Sequence, residues 1–285
     1  MNRKTKGILL IIGAAIGFAG LNLFVKLSGD LPTFQKVFFR NLIAFIFSSV
    51  IVLRDKSTFS SVKGHFGGLF LRCFFGLSGV ICNFYAVDNM TDLADASLLN
   101  KLSPFFAIIF SIFILKEKVS KTEWAFVFVA FIGSLFVIKP SLTPEIIPGA
   151  VGLLGGMCAG LAYTIIRKLT SVGVNGSAIV FGFSGFSCLV ILPLFIANYQ
   201  SMSTMQLIYL ILAGCSATLG QFCITYAYKF APAKEISVFD YTQIVFSCIL
   251  GFMFFGTLPD VYSFIGYVII VVVAVMRWRY DLKKV

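Results

Sequence analysis

The chain is made of ten continuous apolar runs separated by short polar breaks. Each run is close to the ~20 residues that a helix needs to cross a bilayer. Strands of a membrane barrel alternate apolar and polar residues over about 10 positions, so these unbroken runs favour helices. The sequence therefore predicts an all-α polytopic membrane protein with ten transmembrane helices. The predicted spans are residues 7–27, 33–53, 66–87, 94–115, 121–139, 148–166, 175–197, 205–228, 235–256 and 261–278.

The composition argues against most enzyme classes. Apolar residues make up 59% of the chain and charged residues 12%, about half of the roughly 25% found in soluble domains. His65 is the single histidine, so a histidine-rich metal centre cannot form. The seven cysteines lie inside apolar runs without a Cys-x-x-Cys pair, and neither GxSxG nor HExxH occurs. We expect a protein that is not an enzyme and that carries no metal and no cofactor.

Basic residues mark every second break between the spans. Seventeen Lys and Arg residues lie at the termini and in one set of breaks, whereas the opposite set holds Lys139 alone. The acids of that opposite set are Asp30, Asp88, Asp92, Asp95, Glu145 and Asp260. Because Lys and Arg accumulate on the cytoplasmic side, both termini are predicted to be cytoplasmic and the protein to lie in the cytoplasmic (inner) membrane. The net charge of +11 then reflects topology and predicts no nucleic-acid partner.

Residues 1–140 and 147–285 read as one five-helix unit written twice. Small residues of the first span recur in the sixth at an offset of 143: Gly13, Gly17 and Ala19 match Gly156, Gly160 and Ala162. An odd number of spans in each unit turns the second copy upside down in the bilayer. Two inverted repeats with a site between them near the midplane are typical of secondary transporters. The alternative is a duplication that was retained only for helix packing.

Three segments carry a resemblance to a known family. Span two has Phe38-Phe39-Arg40-Asn41, and span nine has Asp240-Tyr241-Thr242-Gln243 followed by Phe255-Gly256-Thr257-Leu258-Pro259-Asp260. Span four runs from Leu93-Ala94-Asp95-Ala96-Ser97 through Ser103-Pro104 to Leu115-Lys116-Glu117-Lys118. In combination and order these segments resemble the drug/metabolite transporter superfamily in its ten-helix EamA branch. Span nine is similar to the S-adenosylmethionine-uptake and riboflavin-uptake subgroups, although Gly256-Thr257 stands where many members have Gly-Glu.

That resemblance implies substrate translocation by alternating access, without ATP or a bound cofactor. It does not fix a substrate, because members carry amino acids, nucleotide-linked metabolites, vitamins and drugs.

Six charged residues fall inside the predicted spans, namely Lys26, Lys36, Arg40, Arg72, Lys101 and Asp240. Lys26 and Lys36 are close enough to the outer boundary to reach it with their long side chains. At 1.5 Å per residue, Arg40 and Lys101 lie roughly 10 Å inside the outer boundary, and Arg72 and Asp240 roughly 8–9 Å inside the inner one. This depth count predicts two layers and argues against a direct bond between Lys101 and Asp240.

The buried charges are the candidate substrate site, because a charge at this depth needs a partner or a wet cavity. Arg40 and Lys101 are predicted to offer positive charge to a carboxylate or phosphate of the substrate. Asp240 either neutralises Arg72 or titrates as the carboxylate that couples transport to protons. The alternatives are that Arg40 bonds backbone carbonyls and that Asp240 forms a static ion pair. Polar residues of the central spans are added as substrate-binding candidates: Asn83, Tyr85, Asn100, Gln221, Tyr226, Tyr241 and Gln243.

The predicted function is a secondary active transporter of a small organic metabolite, with anionic or zwitterionic substrates favoured. A carrier or flippase for a lipid-linked phosphate is the alternative. The expected partners are the small-molecule substrate and the lipid bilayer, with a proton or a counter-substrate as the open choices for coupling. The sequence does not fix the oligomeric state.

Overall fold

A computed structural model describes residues 3–54, 61–116, 120–138, 146–230 and 237–283. The regular structure of these residues consists of eleven α-helices and one short 3₁₀-helix. The first half of the chain contains α1 (Arg3–Leu27), α2 (Thr33–Arg54), α3 (Phe66–Asn89), α4 (Leu93–Asn100), α5 (Ser103–Ile114) and α6 (Lys121–Ile138). The second half contains α7 (Ile146–Ser171), α8 (Gly176–Ala197), α9 (Thr204–Phe230), the 3₁₀-helix (Ser237–Tyr241), α10 (Thr242–Phe255) and α11 (Val261–Lys283).

Every predicted span coincides with helical structure, so the all-α prediction is confirmed. Among the described residues, eight segments are long and apolar enough to cross a membrane: α1, α2, α3, the α4–α5 pair, α7, α8, α9 and α11. Span five is the 18-residue α6, and span nine is a shorter apolar segment, Phe239–Phe255. The predicted start of span nine at residue 235 and the predicted end of span five at Lys139 lie outside the described residues.

Span four is broken in its middle. Helix α4 ends at Asn100, Lys101 and Leu102 form a turn, and α5 begins at Ser103 with proline in its first turn. Proline is tolerated there because backbone N–H groups in the first turn of a helix have no hydrogen-bond partner within the helix. Span nine changes geometry near its own start, where the 3₁₀-helix gives way to α10. Lys101 and Asp240 therefore both lie at irregular points of their spans.

The helices pack as a bundle whose two irregular spans touch each other. Helix α1 packs on α9 and α10, α3 on α7 and α8, α2 on α8 and α9, and α6 on α11. Helices α4 and α10 are in contact, and α7 lies against both α4 and α5. Close approach of α7 requires glycine, because a Cβ at Gly156 would lie 2.5 Å from the Leu99 carbonyl oxygen, and one at Gly160 2.6 Å from that of Ser103. Large apolar side chains such as Phe113, Leu189 and Val261 are exposed, as a lipid-facing surface requires.

Three charges that were placed at the outer boundary are instead tied into the protein. Lys36 is 1% exposed, and its Nζ lies 2.6 Å from Asp88 Oδ1 and 2.7 Å from the Gly29 carbonyl oxygen, so its charge is paired within the protein. Lys26 donates to the carbonyl of Met90 at the end of α3. Asp95, counted among the loop acids, is buried in α4 and accepts hydrogen bonds from the hydroxyls of Ser263 and Tyr267 of α11. In each case a nearby donor or acceptor satisfies the charge better than a long reach to water.

Candidate substrate site

Arg40 and Arg72 approach the same phenylalanine. The guanidinium carbon of Arg40, on α2, lies 5.4 Å from the centroid of the Phe183 ring, and that of Arg72, on α3, lies 4.3 Å from it. Both are within the ~6 Å at which an aromatic face attracts a cation. Phe183 belongs to α8, so three helices converge at this point. We call Arg40, Arg72 and Phe183 the basic cluster.

The two arginines of the basic cluster have no acidic partner among the residues that the structure describes. They are 5% and 4% exposed, and Arg40 Nε and Arg72 Nε and Nη1 are buried without a hydrogen-bond partner. Arg40 donates through Nη1 to the side-chain oxygen of its neighbour Asn41, over 2.6 Å. The two guanidinium carbons are less than about 10 Å apart, a separation at which like charges repel by roughly 2 kcal/mol at an effective dielectric near 20. Two buried cations are thus left to be neutralised by something else.

Lys101 and Asp240 form an ion pair. Lys101 Nζ donates to Asp240 Oδ2 over 2.6 Å, and the two side chains are 7% and 13% exposed. The prediction that depth separates these residues was therefore wrong. So was the assignment of Arg40 with Lys101 to one layer and Arg72 with Asp240 to another, since no ion pair joins Arg72 to Asp240 within the described ranges.

The depth count failed for a physical reason. It assumed straight α-helices, yet both residues lie where their spans depart from the α-helix. A 3₁₀-helix rises about 2.0 Å per residue instead of 1.5 Å, and the flexible four-carbon stem of lysine covers the remaining gap. Arginine side chains have a comparable reach, and those of Arg40 and Arg72 bring their guanidinium groups to the same phenylalanine.

Tyr241 supports the break in span four. Its hydroxyl donates to the carbonyl oxygen of Lys101 over 3.0 Å, one of the carbonyls at the end of α4. Lys101 Nζ also lies 5.6 Å from the centroid of the Phe18 ring on α1. Tyr241 was predicted to bind substrate. In the structure its hydroxyl bonds the backbone of Lys101, one member of the ion pair.

Tyr163 of α7 links the two charged groups, and sequence reasoning missed it. Arg40, Arg72 and Asp240 all act electrostatically on its hydroxyl. The ring is 40% exposed although its neighbours are buried. Phe183 was missed as well, because the chain has 33 phenylalanines and nothing in the sequence distinguishes this one from the others.

Asn83 belongs to a separate chain of buried polar groups. Its amide nitrogen donates to Asn22 on α1 over 3.3 Å, Asn22 donates to the Ser97 hydroxyl over 3.1 Å, and Ser97 bonds Ser247 on α10 over 2.8 Å. The side-chain oxygen of Asn83 is buried without a partner. Asn22 could have been found from the sequence, since it is the one amide side chain within the first predicted span.

The remaining predicted site residues are spread around this centre. Asn100 adjoins Lys101 and is half-buried, and Gln243 is 3% exposed with its side-chain oxygen unpartnered. Gln221 is half-buried on α9, while Tyr226 on the same helix is 44% exposed. Among the described residues, no hydrogen bond joins any of these four side chains to Arg40 or Arg72.

Tyr85 lines a cavity at one end of the bundle. The cavity measures about 660 Å³, within the range of small-molecule sites, and is walled by apolar and uncharged polar side chains that include Cys82 and Tyr199. Beside it, Gln35 and Gln200 exchange two hydrogen bonds of 3.1 and 3.2 Å that tie α2 to the loop after α8. The cavity lies between helices of both halves of the chain.

Long apolar helices around buried charges, with a cavity between the two halves, define a polytopic membrane transporter. The chain belongs to the EamA-like transporter family, which it matches twice, over residues 5–139 and 148–278. This membership confirms the resemblance seen in the sequence.

Several transporters are similar to the chain over nearly all of its length. It is 33% identical over 283 residues to the pseudopaline exporter CntI of Pseudomonas aeruginosa, with 96% of each chain covered. It is 25% identical over 300 residues to the riboflavin transporter of Vibrio cholerae, covering 98% of this chain and 95% of the relative. The S-adenosylmethionine uptake transporter of Rickettsia prowazekii is 25% identical over 249 residues, covering 85% and 81%.

A solved crystal structure supports the fold. It matches with a TM-score of 0.65 at 16% identity, over 93% of this chain and 96% of its own. The family and the named relatives make this chain a small-molecule transporter of a membrane and not an enzyme. The alternative of a lipid-linked phosphate carrier is not favoured, since the relatives are named for pseudopaline, riboflavin and S-adenosylmethionine.

Proposed function

We propose that this protein is a secondary active transporter that carries an anionic or zwitterionic small organic metabolite across the cytoplasmic membrane by alternating access. The observation that carries the proposal is the pair of buried arginines, Arg40 and Arg72, which no carboxylate neutralises among the described residues. Arginine suits this role because its planar fork binds an oxyanion at two points. A substrate anion that enters the basic cluster satisfies charges that the fold leaves open.

Two inverted repeats, residues 1–140 and 147–285, are the proposed basis of the movement. The most extensive helix contacts support this division: exchanging the halves turns the α1–α9 contact into the α7–α3 contact and returns the α2–α8 and α6–α11 contacts to themselves. The two family matches fall on the same halves. A symmetric pair of units gives two equivalent arrangements of one site, which is what alternating access requires.

The Lys101–Asp240 pair is the proposed connection between the halves at the substrate site. It joins the broken span of one half to the irregular span of the other. Transfer of a proton to Asp240 removes its charge and releases Lys101, so this pair is also the proposed point of proton coupling. A counter-substrate anion that takes Lys101 away from Asp240 is the second candidate for the same step.

The proposed orientation puts both termini in the cytoplasm. The excess of basic residues in one set of breaks supports it. With this orientation the cavity beside Tyr85 and Tyr199 opens at the outer face, since its walls include the α1–α2 and α8–α9 connections.

Ligand-dependent stabilisation of the purified full-length protein tests the proposal. Carboxylates, amino acids and nucleosides are screened by thermal unfolding, since a ligand of the folded state raises its melting temperature. We expect charged members to stabilise the protein and Arg40→Gln to remove that effect. Arg54→Gln, an exposed charge on the same helix, is the matched control and keeps it.

Radiolabelled hits are then followed into proteoliposomes. Uptake that unlabelled hit competes for, and that Arg40→Gln loses, supports transport through the basic cluster. Stabilisation by neutral nucleosides alone, unchanged in Arg40→Gln, contradicts the proposal.

A further inference from the structure

The charges around the basic cluster do not balance. Lys101 and Asp240 neutralise each other, and the buried Asp95 is held by two hydroxyls of α11. Asp88 is paired with Lys36. Arg40 and Arg72 therefore contribute two positive charges that no acid offsets in the described parts of the chain.

The two arginines also present their free donors from different helices. Arg40 comes from α2 and Arg72 from α3, and each has at least one buried nitrogen without a partner. The guanidinium carbons of Arg40 and Arg72 lie 5.4 and 4.3 Å from the Phe183 ring centroid, so one small molecule can reach both groups. A single monovalent anion satisfies one of these cations and leaves the other buried and uncompensated, which is costly.

We infer that the substrate is a small organic dianion, with its two negative charges on two carboxylates or on one phosphate monoester. One charge is bound by Arg40 and the other by Arg72, with the Phe183 ring beside the group that joins them. This inference rests on the proposed function and narrows its anionic or zwitterionic substrate to one with two negative charges. A zwitterionic substrate would add a positive charge to a site that already contains two cationic side chains, so a dianion is favoured.

A charge series on one carbon skeleton tests the inference on the unmodified protein. Succinate, succinamate and succinamide carry two, one and no negative charges at nearly constant shape, and glutarate with its monoamide and diamide repeats the series at greater length. Phenyl phosphate with phenyl methyl phosphate, a dianion and a monoanion, tests the phosphate form. Thermal unfolding at constant ionic strength and pH 8 gives the half-saturating concentration of each probe.

We expect at least one dianion to stabilise the protein at a concentration at least about tenfold below that of its monoanionic partner, because one charge-assisted hydrogen-bonded contact is lost. Arg40→Gln and Arg72→Gln each abolish the difference between dianion and monoanion, and Arg54→Gln preserves it. If an arginine variant does not fold, the comparison of probes on the wild-type protein still tests the inference. Arg72→Lys, which keeps the positive charge, then replaces Arg72→Gln.

The outcomes distinguish failure of the inference from failure of the proposed function. Equal binding of a dianion and its monoanionic partner overturns the inference and leaves an anion transporter. Stabilisation by amino acids but by no dianion also overturns the inference, and it indicates a zwitterionic substrate. If no anion stabilises the protein in a way that depends on Arg40 or Arg72, the inference and the proposed function both fail.

Discussion

Lys101 and Asp240, which are 139 residues apart in the chain, meet at 2.6 Å between the two irregular spans. Each belongs to a different half: Lys101 lies in the turn after α4, and Asp240 lies in the 3₁₀-helix that precedes α10. The pair therefore joins the two halves by charge.

Breaking the Lys101–Asp240 pair from one side should destabilise the protein. Lys101→Met leaves the Asp240 carboxylate mostly buried and unpaired, for which we expect a loss of about 3 kcal/mol, and Asp240→Asn leaves the ammonium in the same position. The double variant Lys101→Met/Asp240→Asn should be more stable than the sum of the two losses predicts. Thermal unfolding of purified protein measures this, with the exposed Lys168→Met as control. Additive losses in the double variant mean that the pair is not coupled.

Gly76→Ala should displace the Arg72 side chain while the fold is retained. A Cβ at Gly76 would overlap Arg72 Nη1 and lie 3.0 Å from the Phe183 ring, so the end of the flexible arginine side chain must move. We expect anion-dependent stabilisation to fall about as far as in Arg72→Gln, with a small change in the melting temperature without ligand. Gly67→Ala on the same helix is the matched control, because nothing lies within 4 Å of its added Cβ. Anion binding equal to that of wild type in Gly76→Ala argues that Arg72 does not touch the ligand.

Gly156→Ala should force α7 away from the break in span four. The added Cβ would meet the Leu99 carbonyl oxygen at 2.5 Å, and backbone cannot swing aside as a side chain can. Overpacking of this kind costs about 1–3 kcal/mol in free energy of unfolding. Gly13→Ala, at the corresponding position of the first half, is the control, since its Cβ would lie 3.5 Å from Cys223 Sγ, an ordinary contact. Equal melting temperatures for the two variants would show that α7 can shift without cost.

Cys82 should report which face the cavity opens to. It lines the cavity of about 660 Å³ and is half-buried, whereas Cys158 of α7 is 9% exposed. In a variant that keeps Cys82 as its only cysteine, a membrane-impermeant maleimide added from outside is expected to label it. The matched variant that keeps only Cys158 should label more slowly. Labelling of Cys82 from the cytoplasmic side alone contradicts the proposed orientation.

The sequence alone determined the class of fold. The ten apolar runs required helices in a membrane, because no other arrangement of so many unbroken apolar residues satisfies the backbone away from water. It also singled out Arg40, Arg72, Lys101 and Asp240, since charges are rare at this depth and stand out against an apolar background.

Only the tertiary structure decided how those four charges pair. A count of residues measures depth along an ideal helix, but pairing depends on helix breaks and on side-chain reach, which are properties of three-dimensional packing. Tyr163 and Phe183 were missed for a related reason: an aromatic residue in an apolar span carries no sign of its neighbours. The sequence thus fixes which residues are costly to bury, and the fold decides which partner each one meets.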